Sequence, residues 1–385
     1  MNNSITVYKN KKIGIVGDLH FGVNKDSIYR LKESEKCIDW IIKTFQEQNV
    51  DYIIFCGDLF DSRFSINVQT LNSVIKCIQN LSFNFEHLFL IVGNHDTYYK
   101  NVNTMNSINF LQKISETDNI TIIEEKPFFI EFINKRLGLF PWGSIPAEIL
   151  NNPDEEFEKC DYGFGHFETN GIEQNGSVST CAKYNYHDLF KLANYVFSGH
   201  YHTHKIYSKK LNMVGSALQL DWGDFNRKKY IYTLDLNTDE IQKFENTVNS
   251  RFEKVYYSML SEDKYTKQQL MDLCKNNFIK LVIDVKYQFN DVLKYTELIK
   301  NFNPNSLELE YLISLTSDII LESAEEIVKS NSKDNKEYLI EYIQKIYTDI
   351  QKVDESIELE YLIELIQSYY QKSLMTDSER CEKEL

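Results

Sequence analysis

The chain has 385 residues, is 42% hydrophobic and 26% charged, and carries a formal net charge of -15. That balance is ordinary for a globular protein and leaves room for one large domain plus one or two small ones. No apolar stretch is long enough to span a bilayer, and Met1 to Asn10 lacks a basic-then-apolar leader, which argues against membrane insertion and secretion and for the cytoplasm.

The first 245 residues alternate strand and helix signals. Lys12 to Val16 is an apolar run that ends in Gly17-Asp18. Residues 29 to 48 place Leu31, Ile38, Ile41, Ile42 and Phe45 on one helical face. Tyr52 to Cys56 is a second apolar run, ending in Gly57-Asp58. A helix through Val68, Leu71, Val74, Ile75 and Ile78 follows. Leu88 to Val92 is a third run, ending in Gly93-Asn94. Further strands are expected at Ile120–Ile123, Phe128–Ile133, Leu137–Phe140, Tyr162–Phe164, Tyr195–Phe197 and Tyr230–Leu236. Beyond residue 250, Phe278–Val285 reads as a strand, Asp291–Phe302 as a helix and Leu307–Leu315 as a strand or mixed structure. The remainder is acidic and helical, with apolar faces through Ile320, Ala324, Ile327 and Val328, through Leu339, Ile343, Ile346 and Ile350, and through Leu359, Leu362, Ile366 and Tyr369. The fold class is therefore α/β, becoming richer in strands along the chain.

Five apolar runs end in glycine followed by a polar, metal-competent residue: Asp18, Asp58, Asn94, His166 and His200. Ligands bind beyond the carboxyl ends of strands in open α/β sheets. If the five strands lie side by side in register, their ends converge on one site. Residues at i and i+2 of an extended strand face the same way, so Asp18 with His20, and His200 with His202, can each grip one cation. Any one of these pairs alone is common in turns. Together they hold four of the chain's eight histidines with His166, and His95 is a fifth. Histidines at His87, His187 and His204 have bland readings: a strand start, a helix start and a strand leaving the site.

The carboxylate of Asp58 can bridge two metals, and the Asn94 side-chain oxygen is a neutral ligand for a hard cation. His95 then sits beside the metals without binding one, placed for general acid catalysis. The seven cysteines are scattered and never spaced Cys-x-x-Cys, which speaks against a disulfide framework or a thiolate zinc site. Ligands of Asp, Asn and His suit Mn(II), Mg(II), Fe or Zn. Two such ions would clamp a phosphodiester and turn a water into its in-line nucleophile.

The ordered set Asp18-x-His20, Gly57-Asp58, Gly93-Asn94-His95-Asp96, Gly165-His166 and Gly199-His200-x-His202 resembles the calcineurin-like metallophosphoesterase superfamily. Within it, Gly17-Asp18-Leu19-His20-Phe21-Gly22, Gly57-Asp58-Leu59-Phe60-Asp61-Ser62-Arg63, Pro141-Trp142 and Gly165-His166-Phe167-Glu168-Thr169-Asn170-Gly171 look like the SbcD-type nuclease subunit of the meiotic-recombination-eleven family, above all its phage form. The resemblance covers residues 12 to about 245 well and the rest in layout. It implies a four-layer αββα sandwich over residues 1–248, a small α/β capping, DNA-binding domain over 249–316 and a helical region over 317–385 that binds an SbcC-type coiled-coil ABC ATPase. It implies an Mn-dependent DNA exonuclease and endonuclease of recombination, repair or replication, in the host cytoplasm if phage-encoded. Asp18, His20, Asp58 and His202 would hold one Mn(II); Asp58, Asn94, His166 and His200 would hold the second; His95 would be the acid. Many relatives carry a second active-site histidine where this chain has Asp61, which leaves Asp61 to orient His95 or a water. The family often dimerises through helices early in the catalytic domain, and residues 29–48 and 68–81 could serve for a homodimer.

A net charge of -15 is unfavourable for contact with phosphate backbones. The clusters Lys205, Lys209, Lys210 and Arg227, Lys228, Lys229 are candidate DNA contacts, and equally suit solvated hairpins. Other readings are a protein phosphatase, a cyclic-nucleotide phosphodiesterase, and a non-catalytic scaffold for the ATPase. The Gly-Asn-His-Asp string and the long stretch beyond the last motif favour the nuclease. The intact ligand set speaks against the scaffold.

Overall fold

A computed structural model describes residues 4–312, apart from 8, 10, 100–101, 114–117, 145–157, 175–176, 181, 183 and 288, together with residue 363. Met1–Tyr311 forms one compact unit and Leu312–Leu385 another. The expected helical faces beyond residue 317, none of which includes Ile363, lie outside the described residues.

The alternating pattern builds two large sheets. The first has six strands in the order Glu240–Glu245, Tyr230–Asp235, Lys12–Val16, Tyr52–Phe55, His87–Ile91 and Ile120–Ile123. Its last four strands run parallel, as βαβ crossovers require. The second has seven, with Arg136–Phe140, Cys160–His166, Ala193–Gly199 and Leu211–Met213 parallel at its centre. One apolar layer joins their inner faces: Ile13, Ile15, Ile54, Phe89 and Ile91 from the first meet Leu137, Leu139, Phe164 and Phe197 from the second. Strands buried on both faces read as continuous apolar runs, which is why the sequence displayed them so clearly.

The outer face of the first sheet is covered by the helices Ile28–Glu47 and Val68–Asn84. The latter begins at Asn67, whose side chain accepts from the Gln69 amide and caps the helix. The outer face of the second sheet is covered, among the described residues, by the 3-10 helix Tyr186–Lys191 and loops around Phe167 and Ile172. These are the four layers, the last of them thin.

The five motif strands do not lie in one sheet, as the side-by-side reading supposed. Those leading to Asp18, Asp58 and Asn94 belong to the first sheet, and those leading to His166 and His200 belong to the second. Apolar runs reveal strands but not their sheet. Stacking the two sheets face to face brings their carboxyl ends together just as well.

Beyond residue 250, Phe252–Tyr256, Phe278–Ile283 and Ser306–Tyr311 form a parallel three-stranded sheet. The helices Lys267–Cys274 and Phe289–Lys300 are its crossovers. Thr266 and Gln269 form a capping box at the first of them.

Candidate active site

Every residue expected to hold metal arrives at one place. Asp18, His20, Asp58 and His166 are buried. Asp18, His20 and Asp58 each offer a ligand atom within 4.8 Å of one another, as do His20, Asp61 and His95.

The approach of the loops depends on glycine. A Cβ at Gly93 would overlap Asp58, and one at Gly199 would overlap the Cys56 carbonyl. His20 (φ 46°), Asp58 (φ 51°) and His200 (φ 80°) all occupy the left-handed region, strained backbone of the kind that collects at functional sites. Asp96 holds two of the loops together. Its buried carboxylate accepts from the amides of Gly93 (3.0 Å), Leu59 (3.1 Å) and Phe60 (3.1 Å). Burial, reinforced by Asp58, pushes the Asp96 carboxyl up to about 6.

On one side, Asp58 Oδ2 stands 3.6 Å from His20 Nε2, which lies 3.1 Å from His202 Nε2. His20 Nδ1 is 3.2 Å from Asp61 Oδ1, an outer carboxylate beside the ring. On the other side, Asp58 Oδ2 is 3.2 Å from His166 Nε2. Asn94 Oδ1 lies 2.8 Å from His166 Nε2 and 2.9 Å from His200 Nδ1. His166 Nδ1 donates to the Cys56 carbonyl at 2.8 Å, so in the neutral ring Nε2 carries a lone pair. That lone pair faces an amide oxygen and a carboxylate, which only a proton or a cation can reconcile.

The electrostatics agree. Burial raises the Asp58 carboxyl, but His166, His20 and His95 overcome it and hold it well below the ordinary range. Burial lowers His166, yet Asp58 and Asp18 push it up to about 9. Burial, with the neighbouring imidazoles, pulls His200 and His202 down to about 3. Rings that refuse a proton at neutral pH are free to ligate. Asp18 Oδ2 is buried and has no hydrogen-bond partner. An unpaired buried carboxylate oxygen is costly, and a divalent cation offsets that cost. The donor set therefore fits divalent cations.

His95 stands at the rim. Its backbone amide donates to Asp58 Oδ1 at 2.8 Å, and its ring Nδ1 donates to the Asp61 carbonyl at 2.6 Å. Its ring lies edge-on to His20, with centroids 4.8 Å apart.

Several residues have tasks that the motifs did not reveal. Trp142 packs against the rings of His200 and His166 at 5.3 and 5.8 Å. Asp96, in the sequence only the last residue of the Gly-Asn-His-Asp string, ties loops together. Lys229 was grouped with surface lysines, but it is buried. Its Nζ donates to the His202 carbonyl (2.9 Å), Ser216 Oγ (2.7 Å) and Asp224 Oδ1 (2.5 Å). It is thus removed from the candidate DNA contacts. Arg227 bonds Thr203, Lys228 pairs with Glu245, and Lys205 and Lys210 lie over Tyr207 and Phe190. His87 and His187 start the elements expected of them, and His204 accompanies Tyr232 beside the strand Lys205–Tyr207.

The five described cysteines, Cys37, Cys56, Cys77, Cys160 and Cys274, are all buried and free. No helix among the described residues is long and apolar enough to cross a membrane.

The sequence profile of calcineurin-like phosphoesterases matches residues 11–204. Exonuclease subunit 1 of Enterobacteria phage T4 is 24% identical over 351 residues, which cover 88% of this chain and 99% of the phage protein. The SbcD component of nuclease SbcCD from Escherichia coli strain K12 is 23% identical over 273 residues, 60% of this chain and 66% of that protein.

Proposed function

This chain belongs to the calcineurin-like phosphoesterase family, and from that premise we propose that it is the two-metal nuclease subunit of a DNA-processing complex. One observation carries the metal assignment: Asp58 Oδ2 lies between His20 Nε2 and His166 Nε2, at 3.6 and 3.2 Å. A single carboxylate can therefore serve two cations. Asp18, His20, Asp58 and His202 would hold one, and Asp58, Asn94, His166 and His200 would hold the other. Mn(II) suits this mixture of hard oxygens and imidazoles. The ions, when bound, supply Lewis-acid stabilisation of the phosphodiester and acidify the attacking water.

The protein's own groups do the rest. The amide of His95 is tied to the bridging carboxylate, so the acid moves with the metal site. The Asp61 carbonyl fixes the His95 Nδ1 proton, which makes Nε2 the atom that delivers a proton to the leaving oxygen. Asp61 thus has two tasks, orienting His95 through its carbonyl and His20 through its carboxylate. Asp96 keeps the Asp58 and Asn94 loops in register.

The substrate assignment rests on the relatives named as nucleases and on the near-complete span of the phage exonuclease subunit. On this reading residues 249–316 are a capping, DNA-binding module. Residues 317–385 dock an SbcC-type ATPase through their apolar faces. Exposed Ile28, Tyr29 and Val68 on the two outer helices suit a second copy of this chain.

Purified protein should degrade double-stranded DNA from its ends in Mn(II), and faster with the ATPase and ATP. Hydrolysis of a phosphopeptide or a cyclic nucleotide with no DNA degradation would overturn this function.

A further inference from the structure

Three aromatic rings near His95 point to solvent. Phe64 is 74% exposed, Tyr99 51% and Tyr98 43%. Burying a ring of this size is among the larger gains available to a fold, and the chain forgoes it three times in one place. The rings are not scattered: Phe64 and Tyr98 lie 5.8 Å apart, and Tyr98 and Tyr99 4.8 Å, each pair at 85°. An edge-to-face pair covers only one of its four ring faces.

Their attachment links them to the chemistry. Tyr98 is three residues beyond His95. Phe64 is three residues beyond Asp61, whose carbonyl holds the His95 ring. Three residues span at most about 10 Å of backbone, so Tyr98 is tethered that close to His95 and Phe64 that close to Asp61. The tyrosines occupy a hairpin, Thr97–Tyr99 against Val102–Asn106, and Thr97 Oγ1 donates to the Asn94 carbonyl at 3.1 Å. Ser62 Oγ accepts from the amides of Phe64 and Ser65, each at 3.4 Å, which turns the Phe64 loop. Arg63 neighbours Phe64 in that loop and adds a positive charge to an acidic chain.

We propose that Phe64, Tyr98 and Tyr99 form a stacking rim that takes unpaired nucleobases of the strand being cut. This rests on the nuclease reading above. A nucleic-acid strand alternates phosphates with flat bases. The metal centre serves the phosphate, and open aromatic faces beside it serve the bases. Stacking is indifferent to sequence, because every base has a π-face. The rim therefore favours frayed or single-stranded ends over blunt duplex ends, with little sequence preference.

The test is an abasic scan of fluorescent single-stranded oligonucleotides, with binding and cleavage measured on the full chain. In the wild type, an abasic site one or two positions from the cut phosphate should weaken binding roughly tenfold. Phe64→Ala and Tyr98→Ala should bind the intact strand about as weakly and show no further abasic penalty. Phe64→Trp and Tyr98→Phe should restore both affinity and penalty, which a misfolded variant could not do.

An equal abasic penalty in wild type and alanine variants would overturn the rim. So would an altered oligomeric state in sedimentation with the penalty unchanged, since the rings would then cover a second protein surface. A wild type that degrades no DNA at all sinks the nuclease reading and the rim together. A wild type that degrades DNA with no abasic penalty near the cut sinks the rim alone.

Discussion

The two ends of the paired sheets use the same residue types in opposite ways. At the amino ends of the strands, polar groups are spent on one another. Lys11 reaches Glu86 at 2.6 Å and Asp51 at 3.6 Å. Asp51 accepts the Lys12 amide at 2.7 Å, and Asn119 Nδ2 donates to the carbonyls of Ser82 and Phe85. At the carboxyl ends, carboxylates and imidazoles face one another with lone pairs to spare, on left-handed backbone. Two histidines show the contrast. His87, at the amino end, bonds Thr121 Oγ1 at 2.8 Å and no carboxylate among the described residues, and burial drives it down to about 4. His166, at the carboxyl end, is more deeply buried, yet Asp58 and Asp18 carry it up to about 9. Burial alone did not decide their charge; the neighbouring carboxylates did. One end closes the fold and the other holds polar groups in reserve for ligands.

The sharpest way to break this contrast is at Asp58. Asp58→Asn should weaken cation binding at both positions, measured by titration calorimetry, and lower cleavage about a thousandfold or more. His95→Asn should lower cleavage about a hundred- to ten-thousandfold while both cations still bind. If the two variants lost cation binding alike, His95 would be a ligand and not the acid.

A smaller effect tests the support beneath the site. Lys229→Met strips the buried Asp224 carboxylate of its partner and releases the His202 carbonyl. Stability in urea should fall by about 3–5 kcal/mol, and cleavage by about ten- to a hundredfold through the displaced ligand. Adding Asp224→Asn should restore most of the stability.

The smallest effect lies at the amino end and should leave catalysis untouched. The folded-state value of His87, about 4, sits below its unfolded value of about 6.5. Between these limits the unfolded chain binds more protons than the native one. Stability present at pH 7 should therefore decline as pH falls through that window, by about 2 kcal/mol after allowance for solvent screening. His87→Gln should remove that part of the slope in denaturation curves recorded across pH 4 to 7.

Much of the site could be read from the chain because its ligands follow apolar runs at strand ends, and the runs advertise themselves. Each of the seven proposed ligands, and His95 with them, stands within three residues of the glycine that ends its run. The sheet to which each strand belongs could not be read, since an apolar run does not name its neighbours. Nor could the second layer of contacts. The Asp18 carboxylate accepts the His200 amide from 182 residues away, and Lys229 reaches the His202 carbonyl across 27. Local patterning carries no record of such pairings. Lys229 misled for a physical reason: a run of three basic residues suggests a solvated face, but only two of these side chains remain outside the core.

The Ile28–Glu47 helix has a consequence for where the polypeptide can be divided. Its Arg30 donates to the carbonyls of Gln219 and Leu220, beneath the rings of Phe252 and Phe278. Glu33, one turn on, accepts from Asn249 Nδ2 and from the amide and hydroxyl of Ser250. A polypeptide ending at residue 248 would keep both buried charges and lose the rings and donors that accommodate them. Stranding even one such charge costs about 3–5 kcal/mol, against a typical domain stability of about 5–15 kcal/mol. The phosphoesterase portion is thus no cassette to be lifted out at its sequence boundary. In gene fusions, split-protein reporters or shuffled chimeras, a cut at residue 248 would strand Arg30 and Glu33.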